Sequence, residues 1–190
     1  MVWVTPGGEG LFGNPVIVHY GLTSFPDVKP GEIVPTVRYA EAAEQRWRNG
    51  RGVTRELFRD ERWRLSVATI ATPGPFSVFP GLDRVFVVGR GVVELTVDGQ
   101  RHRLTAGEML GFTGEAAVSA VPQGAVTAVN VMTHRPGRAR VRFGTWPESR
   151  AVAVVDPATG DAWLDVPGPD GPDGPDVPVI GPVVVVEEIS

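Results

Sequence analysis

Between two apolar runs lies Gly74-Pro75-Phe76-Ser77-Val78-Phe79-Pro80-Gly81-Leu82-Asp83-Arg84, a loop that ends on an arginine entering a strand. Arg84 shares a strand face with Phe86 and Val88. The alternation over Trp63–Ile70 puts Arg64, Ser66, Ala68 and Ile70 on one face and Trp63, Leu65, Val67 and Thr69 on the other. If the larger apolar face packs between sheets, the Arg/Ser/Ala face borders a cavity with a few polar anchors. An arginine in such a place needs a partner, because a buried unpaired charge is costly. Glu56 or Asp83 would make it a structural ion pair, whereas a ligand carboxylate would make it a recognition site matched by the planar guanidinium fork. Both readings stay open for Arg84, and the structural one is preferred for Arg64. Thr54 and Ser77 offer neutral hydroxyls to the same ligand. Asn130, inside the apolar strand expected over 126–132, reads as a buried amide with a specific partner, backbone sooner than ligand.

Other chemistry finds little support. His19, His102 and His134 are far apart and lack metal-ligand spacing, and the chain has no cysteine. Nucleophile-elbow, P-loop and dinucleotide motifs are absent. The serines have no evident histidine base, and Glu187 and Glu188 alternate faces near the chain end. The reading therefore assigns no catalytic residue, no metal and no cofactor.

The elements that position these residues are short strands. Gly (24) and Pro (18) are abundant, favouring turns over long helices. Strands are expected over 63–70, 84–88, 92–97, 101–104, 108–112, 117–121, 125–132, 139–143, 151–155, 162–166 and 183–189. Asp98-Gly99 is a hairpin turn and Asn49-Gly50 a tight turn into a strand. A turn or two of helix is expected within 36–44, around Ala40, Ala42 and Ala43. Residues 1–35 read as an arm or an added strand. The Gly-Pro-Asp repeats of 167–178 read as a loop. A net charge of -4 argues against nucleic acid as a partner. No apolar run reaches the roughly 18 residues of a membrane span and no secretory signal is visible, so a bacterial cytoplasmic protein without a membrane partner is expected.

The loop and the strands around it look like a cupin barrel corner stripped of its metal ligands. On the first cupin motif, the histidine slots fall on Ser77 and Phe79, the carboxylate slot on Arg84 and the closing glycine on Gly91. The second motif fits 99–114 in outline, with Leu110 in its histidine slot. A hydroxyl, a phenyl, a guanidinium and a leucine cannot hold a cation, and they suit a small anion better. Four ordered segments, Trp47 to Glu56, Trp63 to Ala68, Gly74 to Arg84 and Val129 to Thr133, resemble the HutD/Ves family of bacterial bicupins. The resemblance implies an all-β, cupin-type barrel or sandwich, a bicupin whose second half is shortened here. The core then spans 36–143 and the partial second half 144–190. It also implies a link to control of histidine utilisation, with urocanate, N-formylglutamate or formate as candidate ligands. The leading expectation is a non-catalytic, metal-free cupin that binds a small carboxylate through Thr54, Ser77 and Arg84, supported by Glu56, Arg64 and Asn130. The rivals are a cupin enzyme (isomerase or dioxygenase) and a structural or assembly protein, and a homodimer stays open.

Overall fold

Three neighbouring strands of this protein send apolar side chains into two different cores, and that property organises what packs around them. The computed structural model describes residues 35–168 and 181–190. Along β3 (Trp63–Ile70), Leu65 and Val67 belong to one hydrophobic cluster and Ile70 to another. The same division holds in β5 (Leu82–Arg90), with Val87 on one side and Phe86 and Val88 on the other. In β10 (Val126–His134) it separates Val129 and Val131 from Val126 and Ala128. Successive strand residues point to opposite faces, so these strands lie in a sheet covered on both sides.

That sheet has the order β1-β2-β3-β10-β5-β8, with β1 (Glu44–Arg46), β2 (Gly52–Arg59) and β8 (Met109–Thr113) completing it. On one face packs a sheet ordered β4-β9-β6-β7, made from β4 (Gly74–Pro75), β6 (Val92–Val97), β7 (Gln100–Thr105) and β9 (Val118–Pro122). Phe86, Val93, Leu95 and Leu110 fill the layer between them. On the other face packs a sheet ordered β11-β14-β12-β13, from β11 (Ala139–Gly144), β12 (Ala151–Val155), β13 (Ala162–Val166) and β14 (Val183–Ile189). There Leu65, Val67, Val129 and Val131 meet Ala153, Val155, Val184 and Val186. Among the described residues, all the strand pairs are antiparallel. The fold is all-β, a sandwich whose middle layer serves two cores.

Asp98 and Gly99 both take positive φ, 47° and 83°, as a two-residue hairpin between β6 and β7 requires. Residues 36–44 differ from expectation. Their alanines make only a tight turn, with the Ala42 amide donating to the carbonyls of Arg38 and Tyr39. Two neighbours hold this segment extended on either side. Val37 bridges Ala162, and β1 pairs with β2, so a helix would forfeit both sets of bonds. Residues 36–39, expected with the first core, thus dock on β13. Likewise β11, expected at the end of that core, hydrogen-bonds to β14 in the back sheet. The expected arm lies outside the described residues except for Pro35, as does most of the Gly-Pro-Asp loop. Among the described residues, no helix is long and apolar enough to cross a membrane.

Candidate functional site

Strand register builds the site. Asn130 of β10 pairs with Ser66 of β3 on one side and Phe86 of β5 on the other. Met132 likewise sits between Arg64 and Arg84, and Ala68 faces both Thr54 and Ala128. Residues in register on neighbouring antiparallel strands project from the same face. The result is a polar band, Thr54, Ser66, Asn130, Arg64 and Arg84, on the face that the β4-β9-β6-β7 sheet only partly covers. A cavity of about 510 Å³ opens over it. The band supplies one wall; Trp47 and Arg48 from the β1–β2 hairpin and Phe76, Ser77 and Phe79 from the loop after β4 supply the others.

Arg84 is buried, with 7% of its surface exposed, and so is Asn130 at 2%. The Arg84 Nε donates to Asn130 Oδ1 at 2.9 Å, and Nη2 donates to the same oxygen. The guanidinium carbon lies 4.6 Å from the centre of the Phe76 ring, 5.4 Å from Phe112 and 5.5 Å from Phe86. Ring faces attract a cation but do not neutralise it. Among the described residues, no carboxylate lies within ion-pair distance of Arg84. Burial, and secondarily the nearby Arg64 cation, lowers its pKa to about 9. The two protein partners considered from sequence are engaged elsewhere. Glu56 Oε2 stands 2.5 Å from Arg64 Nε and 2.8 Å from Arg59 Nη2, and Asp83 faces Arg135 at 3.7 Å. Arg64 is therefore a structural pair partner. Its Nε lies off the hydrogen-bonding direction despite the short separation.

Five of the six residues singled out from sequence line the cavity: Thr54, Arg64, Ser77, Arg84 and Asn130. Glu56 stands behind them and orients Arg59 and Arg64. The Thr54 hydroxyl accepts the Trp47 indole N–H at 2.8 Å, which leaves its own proton free to donate. Asn130 departs from expectation, since its main partner is Arg84 rather than backbone. Its amide nitrogen makes only a long 3.5 Å contact with the Ala128 carbonyl. Sequence reasoning missed Trp47, Arg48, Phe76 and Met132. Met132 was legible from its even spacing with Asn130. Trp47 and Arg48 reach the cavity only because β1 folds back on β2, a pairing that local pattern does not reveal.

The loop bearing Ser77 and Phe79 is fastened at both ends. The Phe76 amide donates to the Val118 carbonyl and the Phe79 amide to the Gly114 carbonyl. The Gly81 amide donates to Glu115 Oε1 at 2.7 Å. A Cβ on Gly114 would lie 2.0 Å from the Phe79 carbonyl oxygen, so only glycine lets the loop close over the cavity. Among the described residues, no three His, Asp or Glu side chains converge as metal ligands would. A lining of guanidinium, amide, hydroxyl and aromatic groups is chemistry that holds an anion.

Comparison with known proteins places these features in a family context. The HutD family model matches residues 39–164. Protein Ves of Citrobacter koseri is 38% identical over 107 residues, covering 50% of this chain and 56% of that protein. An uncharacterized 21.2 kDa protein in the hutC 3′ region of Pseudomonas putida is 39% identical over 107 residues, 51% of this chain and 56% of that protein. The chain thus spans little more than half the length of these curated relatives. HutD from Pseudomonas fluorescens SBW25, solved in a formate condition, aligns with a TM-score of 0.60 at 25% identity, covering 80% of this chain and 93% of that one. A conserved protein of unknown function from Pseudomonas aeruginosa PAO1 shares the fold, with a TM-score of 0.55 at 24% identity over 81% of this chain and 86% of that one.

Proposed function

This chain belongs to the HutD family, and from that premise we propose that it is a non-catalytic, metal-free cupin whose cavity binds a small carboxylate and reports its level. One observation carries the reading: Arg84 is a buried cation lining an accessible cavity, and no protein carboxylate answers it among the described residues. A bound carboxylate would supply the missing charge. It would take guanidinium hydrogens of Arg84 and the hydroxyl protons of Thr54 or Ser77, and exchange a costly isolated charge for a charge-assisted pair. The candidate ligands, by analogy with the family, are urocanate, N-formylglutamate and formate. The relative placed 3′ of hutC supports a tie to control of histidine utilisation.

A thermal-shift screen with these three acids tests the reading. A ligand at about 100 times its Kd stabilises by about 2.7 kcal/mol, several degrees for a chain of this size. At least one acid should raise the Tm of the wild type and leave Arg84→Gln unmoved. An unchanged Tm with all three, or an equal shift in Arg84→Gln, would overturn it.

A further inference from the structure

We propose that the occupant of this cavity carries two anionic groups, one seated on Arg84 at the buried end and the other on Arg48 at the exposed end. This rests on the carboxylate reading above and narrows the ligand class. Among the described residues, five arginines line the cavity, Arg46, Arg48, Arg59, Arg64 and Arg84, and no aspartate or glutamate does. Glu56 stands behind Arg59 and Arg64, and Glu44 lies 3.3 Å from Arg46. That leaves two guanidiniums with no acidic partner among the described residues, the buried Arg84 and the exposed Arg48. A carboxylate on Arg84 satisfies the buried cation but leaves the exposed Arg48 unanswered in a cavity of about 510 Å³. Formate fills little of that volume. Trp47, Phe76 and Phe79 line the same cavity, and their apolar rings suit a short carbon chain or a planar group. A second anionic group on such a ligand gains a guanidinium fork at an entrance already positive, which also favours its capture from solution.

Calorimetric titration of the whole protein with diacids from succinate to adipate, each against the monoacid of equal carbon count, reads this directly. At low salt the best diacid should bind at least about fivefold tighter than its monoacid, a gap that added salt narrows. In Arg48→Gln the gap between each diacid and its monoacid should fall below about twofold, because the second anionic group loses its guanidinium. Monoacids binding as tightly as every diacid would overturn the inference and leave the carboxylate reading standing. So would a gap that survives in Arg48→Gln. If no acid of either series binds, and the screen above is also silent, both readings fall together.

Discussion

Arg84 and Asn130 form a pair whose stability and purpose pull in opposite directions. Asn130 gives Arg84 two hydrogen bonds but no charge, so the unliganded protein keeps a cation out of water. Removing only Arg84 strands the Asn130 carbonyl oxygen, at about 1–3 kcal/mol. The double variant Arg84→Met/Asn130→Leu removes both partners, and by analogy with buried ion pairs replaced by apolar residues it should be neutral or stabilising by about 1–4 kcal/mol. Urea unfolding of the unliganded protein checks this, and a loss of several kcal/mol would make the pair structural after all. The lowered pKa fixes the sign of the pH response. Below about pH 9 Arg84 is charged in both native and unfolded chains, so it adds no slope. Above that, the native state holds fewer protons than the unfolded one, and this group adds stability as pH rises. A bound carboxylate favours the charged form. Binding near pH 9 should therefore take up protons and weaken as pH climbs further, which calorimetry in buffers of different ionisation enthalpy will read.

The loop from Phe76 to Gly81 is held by contacts that two substitutions can separate. Gly114→Ala drives a Cβ into the Phe79 carbonyl and should destabilise by about 1–3 kcal/mol, with weaker ligand binding because Ser77 and Phe79 move. Glu115 lies on the surface, and the Gly81 amide, its own amide and Arg135 hold its carboxyl below the ordinary glutamate range. A depressed acid supports the fold above its ordinary pKa and loses that effect as pH falls through the lowered value. Amide exchange at Gly81 should accordingly accelerate in Glu115→Gln at neutral pH, and in the wild type only on strong acidification. Local pattern exposed much of this region. Arg84, Ser77 and Phe79 stood in motif slots, and Asp98-Gly99 could hardly be anything but a hairpin. The Arg84–Asn130 bond was hidden because its partners lie 46 residues apart and meet only through the β5–β10 register. The short turn near Ala42 was misread because alanine favours helix locally, while Ala162, more than a hundred residues away, draws Val37 into a bridge.

At the scale of the whole molecule, the six-stranded sheet makes the two cores interdependent. A fragment of residues 36–138 would keep the cavity strands but bare Leu65, Val67, Val129 and Val131, which the back sheet now buries. Such a fragment should lack cooperative unfolding and aggregate on gel filtration, whereas a monodisperse, cooperatively melting fragment would show that the front sandwich stands alone. The sequence displayed the strands of both halves; which layer each would join was settled by long-range pairing that composition and spacing do not encode. The alternation along β10 also bears on assembly. Asn130 faces the cavity and Val131 the back core, so a slip of one residue would bring the amide into the hydrocarbon layer and the valine into the cavity. The polar band thus doubles as a proofreader of its own construction: a mispaired chain forfeits its core along with the Arg84–Asn130 bond, and a chain that has buried its core has already formed the cavity.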